Sequence, residues 1–244
     1  LELKLAMSLL SSRSQPETAA HAFDPASRAA VYRAIELRRD MRHFAGGHVQ
    51  PEVLVRLLRA AHWAPSVGFM QPWRWIRITH PVQRQRLHEL VQQERVRTAQ
   101  ALGERGEAFA RLKVEGILES AELWAVVLMP ERERHVFGRR TLPEMDVASA
   151  ACAIQNLWLA ARAEGLGVGW VSIFDPQQVA DLLGCPPGSR PLALLCLGPV
   201  YLFYDEPMLQ RERWAKRLSL RDVVFENRWE QPSTLPLRDD APAA

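Results

Sequence analysis

The run Arg38-Arg39-Asp40-Met41-Arg42 places three guanidinium groups and one carboxylate within what reads as a single helical turn. Such groups repel one another unless an anion joins them. Arginine suits phosphate because its planar fork donates paired hydrogen bonds to two oxygens. Asp40 can neutralise part of that charge. The cluster also reads as a solvated helix end, where basic groups suit the negative end of the helix dipole. A second candidate is Ala64-Pro65-Ser66-Val67-Gly68-Phe69-Met70-Gln71-Pro72-Trp73. Small residues there let a ligand approach the backbone, with Phe69, Met70 and Trp73 offering flat or soft apolar surface. The bland reading is a helix–strand turn with core aromatics. A third is Gly165-Leu166-Gly167-Val168-Gly169-Trp170-Val171-Ser172, whose backbone N–H groups suit the edge of a planar ligand, or which is a plain glycine-rich connection. The dinucleotide pattern GxGxxG is absent, and these glycines precede a strand rather than follow one, so no nicotinamide site is indicated. Lys216-Arg217 adds positive charge from a distant part of the chain, or belongs to a solvated basic helix.

The elements that must position these groups follow from periodicity and caps. Asp24-Pro25 opens a helix running through Val31, Ala34, Ile35 and Leu37, with Asp as N-cap and Pro in the first turn. Pro51 starts a second, with Val53, Leu54, Leu57, Leu58 and Ala61 on one face, and Pro81 a third. Strands are expected at Trp73–Thr79, Leu123–Met129, Gly167–Phe174 and Pro191–Val200, and Asp175-Pro176 caps a short helix. Residues 95–120 form a polar helical segment at the surface, a candidate lid. Pro143–Glu164 is the longest helix, and its part Val147–Ala163 is apolar nearly all round. A helix apolar on every side must be covered on every side, which points to a subunit interface, with a central helix of one monomer as the alternative. Strands separated by uneven helices make an α+β fold of four or five strands. Residues 1–23 read as a flexible arm, with 1–6 a cloning remnant ahead of Met7 or, as the weaker alternative, part of a short amphipathic signal. Residues 24–230 form one domain and 231–244 a tail.

Net charge is +3, and the arginines are spread along the chain. That indicates local anion binding rather than a nucleic-acid surface. The three cysteines, Cys152, Cys185 and Cys196, have no metal-ligand spacing and are odd in number, so disulfides are not expected and a reducing cytoplasm fits. No HxxxH pair suggests a metal, and no apolar run is long enough to span a membrane.

In this order, Arg38-Arg39-Asp40-Met41-Arg42, the Ala-Pro-Ser…Gln-Pro-Trp segment, the long apolar helix and Gly-Val-Gly-Trp resemble the FMN-binding nitroreductase family, over roughly residues 28–228. The resemblance implies a nitroreductase-like fold, a mixed and mostly antiparallel sheet flanked by helices, and a homodimer built on the long helix. It implies that Arg38 and Arg39 meet the FMN phosphate, joined by Arg217. Met41 lies within the binding segment, and Arg42 faces the pyrimidine edge. Ser66 contacts the flavin across the dimer, and Trp170 and Ser172 lie near N5. Ordinary members commonly carry Ser where Asp40 stands and Asn where Phe69 stands. With the run Gly169–Pro176, these departures resemble a branch that uses reduced FMN as a substrate with molecular oxygen and releases 5,6-dimethylbenzimidazole, the lower ligand of vitamin B12. A separate flavin reductase would supply the reduced FMN. Ribityl C1′ becomes a benzimidazole carbon, so a proton must leave near it. Asp40 is then the general base, or a charge balance among arginines, and Ser172 holds N5 or the bound oxygen. The alternatives are an NAD(P)H-dependent nitroreductase or flavin reductase, and a non-catalytic flavin-binding protein.

Overall fold

A computed structural model of the chain describes residues 21–237. Most of the arm expected at 1–23, with the remnant expected at 1–6, and the end of the tail expected at 231–244 lie outside the described residues. The chain divides into two compact units at Arg38/Arg39. In the first, Asp24 Oδ1 accepts the N–H groups of Ala26 and Ser27, each at 3.0 Å, and starts helix α1 (Pro25–Leu37). The helix ends where Arg38 turns extended, its N–H donating to the Ala34 carbonyl.

The second unit carries helices α2 (Pro51–His62), α3 (Pro81–Ala101), α4 (Gly106–Arg111), α5 (Met145–Ala163), α6 (Pro176–Leu182) and α7 (Met208–Arg211). Its strands are β1 (Trp73–Arg77), β2 (Glu122–Leu128), β3 (Gly167–Val171) and β4 (Arg190–Gly198). α2, α3 and α6 each begin with proline in the first turn, where its missing N–H has no helical partner to lose. Asp175 caps α6 through the N–H groups of Gln177 and Gln178.

The strands pair antiparallel in the order β1-β2-β4-β3. The parallel part of the expected mixed sheet is a bridge between Asp40 and Val168 at the free edge of β3. A register shift at Val126/Val127 accommodates Pro191, which cannot donate to the ladder. The sheet separates two cores. Trp73, Trp124, Val126, Leu195 and Leu197 face α2 and α5, while Leu123, Ala125, Leu194 and Cys196 face Leu87 and Val91 of α3 and Val179 of α6.

Two expectations are corrected. The helix expected from Pro143 starts at Met145. More consequentially, one chain covers most of α5. Ala150, Ala153 and Ile154 are fully buried, and Leu157 and Trp158 nearly so, against α2 and the sheet. The apolar character that indicated an interface is therefore largely intramolecular. The face left outward carries Ala148, Cys152 and Gln155. Among the described residues no helix is long and apolar enough to cross a membrane.

Candidate functional site

The arginine segment is not a helical turn. Helix α1 ends at Leu37, and the chain from Arg39 runs extended beside β3, where the Met41 N–H donates to the Val168 carbonyl at 2.9 Å. A strand edge offers backbone groups that a helix end cannot use, and this edge takes the segment. The glycines of β3 make the approach fit. A Cβ on Gly169 would lie 2.2 Å from the Met41 carbonyl oxygen, and one on Gly167 would lie 2.5 Å from Val200. Their role is close packing against Met41, which is fully buried, rather than the exposed donors that the sequence suggested.

This packing fixes Asp40. One carboxylate oxygen accepts the Trp170 N–H at 3.0 Å and the other accepts Arg42 Nη2 at 2.5 Å. The Asp40 side chain keeps 42% exposure, against 11% for Arg42, so a small molecule can still reach the carboxylate. The indole N–H of Trp158 donates to the Arg39 carbonyl at 3.1 Å, and its ring leans on Trp170 at 6.5 Å. Arg39 reaches the Asp205 carbonyl with Nη2 at 2.6 Å. Tyr204 accepts the Arg42 N–H at 3.2 Å and pairs with His43 Nδ1 at 2.7 Å. Trp158, Tyr204 and His43 escaped the sequence reading, because nothing in local spacing tells which aromatic returns to which segment.

Arg42 supplies a test of fit for a flavin. Its second amino group, Nη1, is buried without a hydrogen-bond partner. A buried unpaired donor is unfavourable on its own, and the carbonyl-rich pyrimidine edge of a flavin is an acceptor of the right chemistry. Nearby, burial pushes the Cys196 thiol up to about 12, so it is a neutral thiol and no nucleophile. Cys152 and Cys185 are also free.

Ser66 lies in a tightly wound loop. Gly68, Phe69 and Gln71 all take left-handed backbone angles, with φ of 52°, 55° and 50°. Two of these are not glycine, a strained arrangement that surrounding bonds must hold. The Ser66 hydroxyl accepts the Gln71 N–H and the Ser149 hydroxyl accepts the Val67 N–H, both at 3.0 Å. A Cβ on Gly68 would lie 2.9 Å from the Phe137 carbonyl oxygen. The loop that supplies this wall is pinned by the buried Asp146, which accepts from Arg132 at 2.8 Å and Arg139 at 3.2 Å. Ser66 thus braces its own loop, and Phe69 stands 82% exposed.

The structure therefore gathers Arg39, Asp40, Met41, Arg42 and Trp170 at the edge of β3. Ser172 is exposed one residue past that strand. Arg38 belongs to the first unit and is half-buried. Lys216 and Arg217 are exposed in an irregular stretch rather than a helix, where the Arg217 N–H donates to Gln210 at 3.4 Å.

Residues 35–199 match the model of the nitroreductase family. The 5,6-dimethylbenzimidazole synthase of Rhodospirillum rubrum is 40% identical over 198 residues, 80% of this chain and 93% of that protein. The synthase of Rhodobacter capsulatus is 38% identical over 198 residues, 80% of this chain and 96% of that protein. Among solved structures, the NADPH:FMN oxidoreductase of Vibrio harveyi superposes with a TM-score of 0.62 at 21% identity, covering 84% of this chain and 80% of that one. Oxidised iodotyrosine deiodinase bound to FMN and 3-iodo-L-tyrosine superposes with a TM-score of 0.58 at 20% identity, over 71% of this chain and 91% of that one. At these identities the two structures speak for the fold.

Proposed function

This chain belongs to the nitroreductase family, and we propose that it converts reduced FMN, with molecular oxygen, to 5,6-dimethylbenzimidazole, the lower ligand of vitamin B12. The observation that carries this reading is the near-full-length likeness to proteins named for that synthesis. The Asp40 geometry supports it: the family's arginine segment holds a carboxylate in one orientation while leaving it open to a small molecule.

In this proposal FMN is consumed as a substrate. Arg38, Arg39 and Arg217 hold its phosphate, and Arg42 donates to the pyrimidine edge. Met41 buries its side chain so that the arginine segment stays against β3. Asp40 accepts a proton near the ribityl C1′. Trp170 and Ser172 stand on the N5 side, with the Ser172 hydroxyl holding N5 or the reacting oxygen. Ser66 and its strained loop meet the flavin of a second copy, so the working unit is a homodimer. A separate flavin reductase supplies the electrons. The three free cysteines suit the reducing cytoplasm.

The test is direct. FMN is reduced without oxygen, mixed with the protein and exposed to air, and the products are identified by mass spectrometry. The benzimidazole is expected. Flavin returned wholly intact would refute the reading, and steady NADPH oxidation by the pure protein with FMN would favour a nitroreductase.

A further inference from the structure

The polar segment after α3 forms a third, small apolar cluster apart from the two main cores. Phe109, Leu112 and Val114 are buried in it, with Ile173 and Trp214 packed against them. Ile173 directly follows Ser172, and Trp214 stands three residues before Arg217. The cluster thus joins the neighbours of two groups that are far apart in sequence. Its closure is polar as well as apolar. The Arg105 guanidinium lies 3.7 Å from the centre of the Trp214 ring and donates from Nη2 to the Trp214 carbonyl at 3.0 Å. Arg95 of α3 ties the other side, donating to the carbonyls of Ala110 at 2.6 Å and Leu112 at 2.9 Å. Gly103, with φ of 55°, turns the chain out of α3, and Gly106, where a Cβ would fall 2.3 Å from the Ala99 carbonyl oxygen, opens α4.

We infer that Arg105 and Trp214 are positioning residues, a latch that clamps the 102–114 segment against Ile173 and Trp214 and so sets Ser172 and Arg217 for one ligand. The inference rests on the reading of those two as flavin contacts. Cation–π stacking together with a hydrogen bond to the same residue fixes both the distance and the tilt of Trp214, which packing alone does not. Neither latch residue touches the Asp40 cluster in any hydrogen bond or ring contact of its own, so the latch acts through the segments that it joins.

The test uses Arg105→Ala, Arg105→Lys, Trp214→Phe and, as a surface control on the same segment, Arg111→Ala. Arg111 is 79% exposed in its side chain. Hydrogen exchange in the flavin-free protein is expected to quicken together at 106–114 and 214–217 in Arg105→Ala, and nowhere in β2 or β4, since local opening follows the loss of local contacts. The dissociation constant for reduced FMN is expected to rise about tenfold, the size of one partly desolvated cation–π contact. More of the flavin should return intact per benzimidazole formed. Arg105→Lys and Trp214→Phe, which keep a cation and a ring, should recover part of each effect, and Arg111→Ala none. A wild type that makes no benzimidazole while Arg105→Ala still weakens FMN binding would reject the synthase reading and keep the latch. Arg105→Ala with unchanged exchange, affinity and product partition would overturn the latch. So would an exchange change confined to 106–114.

Discussion

The Asp40 carboxylate accepts the backbone N–H of Trp170 at 3.0 Å, so its orientation is set by the strand that leads to Ser172. Its other oxygen accepts Arg42 at 2.5 Å. Asparagine offers one acceptor oxygen, and its amide nitrogen would face one of these two donors. Asp40→Asn is therefore expected to bind reduced FMN and let it reoxidise, with Arg42 somewhat loosened. Benzimidazole formation should fall about 10²–10⁴-fold, the usual contribution of a positioned base. The measurement is benzimidazole and surviving FMN from one incubation. Full product yield would end the general-base role and leave Asp40 as charge balance.

Affinity for reduced FMN is expected to exceed that for reduced riboflavin by about tenfold or more, because a hydrogen bond to a charged group contributes about 1.5–3 kcal/mol. Arg217→Ala should narrow the gap. Arg217 is exposed, so its share should shrink as salt is raised. Titrations of both flavins at two ionic strengths decide this, and equal affinities would remove the phosphate assignment.

Gly169→Ala probes the strand that carries the site. The new methyl group would meet the Met41 carbonyl oxygen at 2.2 Å, and backbone on both sides must move. Overpacking of this kind destabilises by about 1–3 kcal/mol. Urea unfolding should register that loss, and product formation should fall with it as Asp40 is displaced. A variant with unchanged stability and activity would show that β3 and residues 40–42 separate freely.

Assembly is tested on the face of α5 that one chain leaves open. Ala148 is exposed, whereas Ala153 is completely buried. Ala148→Glu is expected to yield a folded monomer, and Ala153→Glu to lose the fold by burying an unpaired charge. Light scattering and far-UV circular dichroism separate the two outcomes. A wild type that is monomeric would refute the dimer.

Arg56 of α2 holds Glu164 at the end of α5 through two parallel bonds of 2.9 and 3.0 Å. The bonded guanidinium lowers the Glu164 carboxyl below its ordinary 4.5. A folded-state pKa that is depressed adds stability above the unfolded value, and that stability is lost as pH falls through the folded one. Glu164→Gln should therefore be slightly less stable than wild type at pH 7, with the difference shrinking as pH falls below the ordinary carboxylate range and vanishing once it has passed the lowered folded-state value. Urea midpoints across this range measure it. A difference that persists undiminished at pH 3 would show that the pair acts by packing alone.

Part of this fold follows from local chemistry. Asp24-Pro25 and Asp175-Pro176 supply a cap and a fixed φ within a few residues, so both helix starts follow without tertiary partners. The apolar run Leu123–Met129 reads as a strand buried on both faces, as β2 is. The family motifs were likewise legible, because they are contiguous. The remainder depends on contacts between distant segments. Arg39–Arg42 lies extended because the edge of β3, well over a hundred residues away, offers backbone partners that a helix end lacks. The glycines of β3 admit Met41 rather than a ligand, which no local pattern could tell. The apolar surface of α5 implied burial on every side, but α2 and the sheet, rather than a second chain, cover most of it. Arg105 and Trp214 meet across 109 positions. Contacts of that separation depend on how the layers close, and periodicity carries no record of closure.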